Sequence, residues 1–233
     1  MEKILFLDIE TIPQYPSYDD CPDELKKLWN HKSQNLKKDE NETTGDIYNR
    51  AGIYAEFGRI VCISTGIIRD NNGIPELRIK SFYGDDETLL LSEFAELLNK
   101  HFSKSDSKLC AHNGREFDFP YIARRMVINS IPLPVILDTA GKKPWEVNYL
   151  DTMEMWKFGD FKSYTPLTLL AYSLGIPSPK DDIDGSMVWS VYWKDKDLNR
   201  IMTYCEKDVE ALTNVYLRMK GFPIIPKEKI VKV

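Results

Sequence analysis

Lys3-Ile4-Leu5-Phe6-Leu7-Asp8-Ile9-Glu10-Thr11, residues 3–11, opens the chain with a run of large apolar side chains that ends in two acids. Residues 3–9 read as a buried strand, because β-branched and aromatic side chains fit a pleated sheet. Side chains two apart on a strand share a face, so Asp8 and Glu10 point the same way. Two like charges side by side are costly unless a cation lies between them or one carboxylate takes up a proton. Taken alone, the pair reads as a strand running into a polar loop.

Working outward, residues 59–69 and 76–83 carry the same strand signals and suggest neighbours for the first strand. The polar stretch 13–50 lies between, with one short helix allowed by Leu25, Leu28 and Trp29, and is expected to be an elaboration of the core that is free to move. Leu90, Phe94, Leu97 and Leu98 set a helical period over residues 86–102, the natural crossover helix. Residues 108–111 form a further strand before His112-Asn113-Gly114, and 120–129 a helix with proline in its first turn. A short helix at 166–174 is stopped by Gly175 and Pro177, and a long last helix at 195–220 by Gly221 and Pro223. Strands first and then alternating strand and helix predict a mixed α/β fold, a central sheet flanked by helices. Residues 1–233 are expected to form one domain, since no tether-like stretch divides them.

Composition narrows the function classes. The chain has 233 residues, 42% of them hydrophobic, and a formal net charge of −5. Its apolar runs fall short of the roughly 20 residues of a membrane helix, and its start does not fit a secretory leader. A cytoplasmic location with no membrane contact is the expectation. Cys21, Cys62, Cys110 and Cys205 are scattered without metal-knuckle spacing, and are expected as small buried apolar residues. The negative charge disfavours a protein that coats nucleic acid, which would neutralise phosphates with Lys and Arg. A nuclease remains open, because carboxylates that hold divalent cations contribute charge that the cation offsets.

The last helix makes the acids informative. Its apolar stripe runs through Leu198, Ile201, Cys205, Leu212, Val215 and Met219, and Asp208 falls inside it. A carboxylate there must be paired, metal-bound or at a cleft. Tyr204 lies one turn earlier on the same face. Asp118 stands at the entrance of the 120–129 helix, where an acid also serves as a cap or meets the helix dipole. Asn113 before Gly114 reads locally as a turn residue.

These stretches together resemble the 3′→5′ exonucleases of the four-carboxylate type on a ribonuclease H-like fold. Asp8-Ile9-Glu10 looks like the first motif, Asn113 through Phe117-Asp118 the second, and Tyr204-Cys205-Glu206-Lys207-Asp208 the third. The Asn-to-Asp spacing is similar to that of family B DNA polymerase exonuclease domains. The stretch 167–188, with Leu174-Gly175-Ile176-Pro177 and Asp182-Ile183-Asp184-Gly185-Ser186, is similar to stand-alone enzymes of that kind. A histidine five residues before the last aspartate marks a sister subtype; Thr203 occupies that place, which implies the tyrosine subtype.

The resemblance implies two divalent ions, Mg²⁺ or Mn²⁺, held by Asp8, Glu10, Asp118 and Asp208 and bridging the scissile phosphate, typically about 3.5–4 Å apart. Tyr204 would orient the attacking water; a phenol of pKa about 10 is a poor base at neutral pH. Substrate contacts fall on Thr11, Asn113 and Phe117, the last as a stacking face. Arg115, Arg124, Arg125 and Lys162 offer phosphate contacts, although Arg124 and Arg125, on a helix, read better as solvated charge. Asp151 and Asp184 lie near the cleft by resemblance and are not assigned as ligands. The expected partner is nucleic acid with a free 3′ end, single-stranded DNA foremost. An exoribonuclease and a binding module that has lost hydrolysis are the alternatives.

Overall fold

The computed structural model describes residues 3–36, 41–71, 73–160, 162–177 and 182–233. Strand β1 (Lys3–Pro13) runs antiparallel to β2 (Gly58–Asn71), which forms a hairpin with β3 (Ile74–Tyr83). β1 continues four residues past the expected Ile9 because Thr11, Ile12 and Pro13 pair with Ile60, Arg59 and Gly58. The register shifts between Glu10 and Thr11, where Val61 is the extra residue on β2. Such a bulge re-aims neighbouring side chains and is common beside functional sites.

Helix α1 (Asp23–Ser33) and the 3₁₀ turn Tyr48–Ile53 belong to the polar elaboration. It was expected to be free to move, but it has an apolar core of its own: Trp29 is fully buried and meets Tyr48 and Phe57 edge-on at 5.7 and 5.3 Å. The helical spacing of Leu25 and Trp29 is therefore used for packing. The part of the elaboration at 37–40 lies outside the described residues.

Helix α2 (Glu87–His101) starts at Asp86, whose side chain accepts the Leu89 N–H at 3.0 Å. Strand β4 (Ser107–Ala111) follows and pairs parallel with β1. Helix α3 (Asp118–Ile128) begins two residues before its expected start, so that Asp118 is its first residue. Strand β5 (Tyr149–Asp151) and helix α4 (Thr152–Lys157) are too short for a periodicity to show. Helix α5 (Leu167–Ser173), the single turn α6 (Val188–Ser190) and helix α7 (Leu198–Met219) complete the helices. The last helix was expected from residue 195. Instead a π turn, Val191–Asp195, and left-handed Lys196 (φ 57°) precede it, and Asp197 caps it by accepting the Arg200 N–H at 3.0 Å. Strand β6 (Ile230–Lys232) pairs parallel with β3.

The sheet order is β5-β4-β1-β2-β3-β6, mixed in direction. Helices cover both faces, as expected of the fold class. Leu5, Leu7 and Ile9 pack with Leu90, Phe94 and Leu98 of α2 and with Ile122 and Met126 of α3. Phe6, on the other face, packs with Val209, Leu212 and Tyr216 of α7. Asp8 and Glu10 share that second face. Gly66 on β2 lets α7 come close: a Cβ there would sit 2.8 Å from Val209 Cγ1, so a side chain would push the helix off the sheet.

Arg125 was expected as solvated charge and is not. It is 5% exposed, and its Nε and terminal nitrogen donate to the two Glu87 oxygens at 2.9 and 2.5 Å. Glu87 also accepts from Ile60 N at 2.7 Å and Asn129 Nδ2 at 3.1 Å. The pair ties α2, α3 and β2 together, and Arg125 is not placed to meet a phosphate. Arg124 is exposed, as expected. All four cysteines are free and buried, also as expected.

Candidate metal centre

β1 delivers Asp8 and Glu10 to the face under α7, and the helix returns Tyr204, Cys205 and Asp208 to the same place. Ligand atoms of Asp8, Glu10 and Cys205 all lie within 4.8 Å of one another. Glu10, Asp118 and Asp208 are 7%, 4% and 8% exposed, so three carboxylates are nearly withdrawn from water. Asp118 is brought to the group by α3, which starts where the loop after β4 ends.

The electrostatics follow from this burial. Asp8 is pushed well above the usual carboxylate range, first by desolvation, then by the charges of Asp208, Glu10 and Asp118. Asp118 is pushed up to about 7, chiefly by desolvation and against the backbone hydrogen bonds it receives, with Asp151 and Asp208 adding to the rise. Carboxylates gathered in this way fit a hard divalent cation, which takes oxygen ligands and would offset their mutual repulsion. Asp8, Glu10, Asp118 and Asp208 are the residues that would hold it.

Cys205 enters the group as a neutral donor. Burial pushes its thiol up, as do neighbouring Cys62 and the acids, so the sulfur keeps its proton. Its Sγ lies 3.4 Å from the Asp8 carboxylate and 3.3 Å from the Asp8 carbonyl. The sequence places Cys205 on the apolar stripe, and its polar use there is visible only once β1 lies beneath the helix. Tyr204 is 7% exposed and donates to Asp208; burial and the charges of Asp208, Glu10 and Asp8 all hold the phenol in its protonated form. Its O–H is thus a hydrogen-bond donor.

The loop after β4 is held by Asp151. Its carboxylate accepts the N–H of Asn113 at 2.9 Å and of Arg115 at 3.0 Å, and caps α4 by accepting Met153 N at 2.9 Å and Glu154 N at 3.3 Å. The sequence signal for this brace is an acid directly before a helix start, Asp151-Thr152. His112 is fixed beside it, between Thr152 Oγ1 at 2.9 Å and the Thr165 carbonyl at 2.8 Å. Asn113 adopts φ 61°, the left-handed region that asparagine tolerates better than most residues, and its amide oxygen is buried with no hydrogen-bond partner among the described residues. Gly114 makes the turn possible, since a Cβ would meet Ala111 Cβ at 2.3 Å.

The remaining expected contacts divide. Phe117 is half-buried with its ring 5.3 Å from that of Tyr121, whose hydroxyl region also touches half-buried Thr11. Arg115 turns its guanidinium to the Tyr149 carbonyl at 2.5 Å. Lys162 is exposed. Asp184 accepts from Ser186 N at 2.8 Å within its own turn, and the neighbouring 178–181 part of the 167–188 stretch lies outside the described residues. A cavity of about 930 Å³ opens elsewhere, around Lys3, Phe6, Ile67, Arg69 and Phe102, and includes none of the acids.

Comparison with known proteins places this site in context. The family model described as "Predicted 3'-5' exonuclease related to the exonuclease domain of PolB" matches residues 53–223. Among solved structures, the family B DNA polymerase from the hyperthermophilic archaeon Pyrobaculum calidifontis is similar, with a TM-score of 0.57 and 15% identity. The match covers 94% of this chain and 24% of the polymerase, so the chain spans about a quarter of that protein's length. The fold is thus that of the PolB exonuclease domain, ribonuclease H-like. No match was found among curated proteins. No helix among the described residues is long and apolar enough to cross a membrane.

Proposed function

Because the chain belongs to the family of predicted 3′-5′ exonucleases related to the exonuclease domain of PolB, we propose that it removes nucleoside monophosphates from the 3′ end of single-stranded DNA by two-metal-ion hydrolysis. Residues 1–233 act in this reading as one exonuclease domain of the four-carboxylate, tyrosine subtype, elaborated at 13–50. The observation that carries the proposal is the carboxylate group itself: Asp8 is driven up by burial and by three other acids, a state that a bound divalent cation relieves. Binding-module chemistry would gain nothing from such a cost.

Asp8, Glu10, Asp118 and Asp208 would hold Mg²⁺ or Mn²⁺, which when bound lowers the pKa of a coordinated water and stabilises charge on the scissile phosphate. Tyr204, held protonated with its single O–H on Asp208, would turn that O–H from Asp208 to the nucleophilic water once Asp208 holds the metal, and so orient the water for attack. Asn113 brings an amide oxygen without an internal partner, suited to a donor on the terminal nucleotide. Thr11 and Phe117 line the adjoining wall, with the Phe117 ring offering an apolar face to the terminal base.

The test is stepwise shortening of a 5′-labelled oligonucleotide with Mg²⁺ or Mn²⁺, run on matched DNA and RNA with free and blocked 3′ ends. Shortening must require a free 3′ end, stop with chelator, and fall by at least roughly 10²-fold in Asp8→Ala. An intact oligonucleotide under both metals would sink the enzymatic reading. Faster loss of RNA than of DNA would replace the substrate.

A further inference from the structure

Arg59 on β2 stands opposite Ile12, two residues beyond Glu10, at the same end of the sheet as the acids. Its guanidinium lies 5.2 Å from the Tyr192 ring centre and 5.6 Å from that of Trp193. The two rings meet edge-on at 4.9 Å, and Lys196 Nζ lies 4.9 Å over Trp193. The π turn that carries Tyr192 and Trp193 packs in the same apolar cluster as Tyr204 and Cys205, so this wall is continuous with the metal centre. Single π turns of this kind are frequent at functional sites.

A cavity of about 280 Å³ opens here, lined by Asp85, Tyr192, Trp193, Lys196 and Leu198. Two buried donors have no acceptor among the described residues: the indole N–H of Trp193, whose side chain belongs to the cavity lining, and the Nε–H of Arg59, which lies behind the Tyr192 and Trp193 rings. Arg59 uses its other nitrogens on the Asp85 carbonyl at 2.9 Å and the Tyr192 hydroxyl at 2.5 Å. The Tyr192 hydroxyl in turn donates to the Asp85 carboxylate at 2.5 Å, which engages the one acid of the lining. Buried donors without partners are costly, and their presence calls for an acceptor. Two cations, two orphan N–H groups and an aromatic face select a phosphate with a base attached.

We propose that Trp193, Lys196 and Arg59 form a subsite for the nucleic-acid strand on the 5′ side of the scissile phosphate. This rests on the exonuclease reading above. The subsite takes a backbone phosphate on the Trp193 N–H and Lys196, with the Arg59 charge behind the rings, and a base against the Trp193 ring. It explains how a chain of net charge −5 holds a polyanion: the cations are placed locally, beside the acids, where the strand must pass.

The test compares two substrates in the full chain with Mn²⁺. Thymidine 5′-(p-nitrophenyl phosphate) reaches only the terminal-nucleotide site, whereas an oligothymidylate also reaches the subsite. Trp193→Phe keeps a ring and removes the N–H; Lys196→Asn removes the charge and keeps a residue that tolerates the left-handed backbone. The ratio of kcat/KM for the oligonucleotide to that for the ester should fall roughly tenfold in each. For Lys196→Asn, the slope of log KM against log salt should also shrink by about 0.7. An unchanged ratio and slope, with both substrates slowed alike, would overturn the subsite and leave the exonuclease reading intact. An effect confined to the ester would mark a mononucleotide pocket and overturn it too. If the parent hydrolyses neither substrate, the exonuclease reading fails and the subsite with it. Thermal melts of both variants separate misfolding from these outcomes.

Discussion

The single S–H of Cys205 on α7 is directed at Asp8 on β1, 3.4 Å from its carboxylate and 3.3 Å from its carbonyl. Behind it runs a chain of buried polar contacts: Cys62, Ser64 at 3.6 Å from the Cys62 sulfur, Ser81 at 2.9 Å from Ser64, and Glu206 at 3.0 Å from Ser81. Lys232 closes the chain on Glu206 at 2.6 Å. One thiol thus sets the direction of a proposed metal ligand from within the core.

Outer groups that orient a ligand commonly change metal affinity 10- to 100-fold when removed. Cys205→Ala should therefore raise the Mn²⁺ concentration for half-maximal activity roughly tenfold, while Cys205→Ser, which keeps a donor, should shift it less. Calorimetric Mn²⁺ titration gives the same comparison without turnover. Identical metal curves for all three proteins would reduce Cys205 to a packing residue.

Tyr204→Phe should lower kcat by about 10- to 100-fold, the worth of one hydrogen bond to a charged or reacting group. Mn²⁺ binding should be kept, since the phenol retains its proton and is no ligand, with a loss no larger than that of an outer group bonded to Asp208. Loss of metal binding in this variant would show its proposed role to be wrong.

The raised carboxylates set a pH dependence. Asp118 in the folded chain titrates at about 7, above its ordinary 3.8, and Asp8 is shifted the same way. Their contribution to metal-free stability is fully present below the unfolded value and is lost as pH rises through the folded one. Metal-free Tm should accordingly fall between about pH 4 and pH 8, and Mg²⁺ or Mn²⁺ should raise Tm more at pH 8 than at pH 5. Asp118→Asn should flatten the metal-free curve. The same slope in that variant as in the parent would contradict the assignment.

The Arg125–Glu87 pair makes a contrasting prediction. Arg125→Ala leaves a buried carboxylate without its cation, a loss of roughly 3–5 kcal/mol. Urea unfolding should show it, and the Mn²⁺ concentration dependence of the residual folded enzyme should not move. A shift in metal dependence would tie this pair to the site.

What could be read from the chain alone was whatever repeats along it. The apolar run in residues 3–9, the hairpin partners and the stripe that holds Asp208 are local patterns, and they map in turn to β1, to β2 with β3, and to α7. The pairing of Asp8 with Glu10 on one face needs only the strand period. Arg125 was misread for the same reason. Its sequence neighbours look like a solvated helix face, and only the approach of Glu87, 38 residues away, turns it inward.

The sequence by itself determined the α/β class, the Asp8–Glu10 pair and the helix face shared by Tyr204 and Asp208, because covalent spacing and helix or strand period place those side chains without reference to the rest of the chain; Asp118 joined them through the resemblance. The tertiary structure decided what lies against them. The Cys205–Asp8 contact spans 197 residues and the Asp151 brace on Asn113 spans 38. Burial, which depends on every packed element at once, raised Asp8 and Asp118 above the usual carboxylate range.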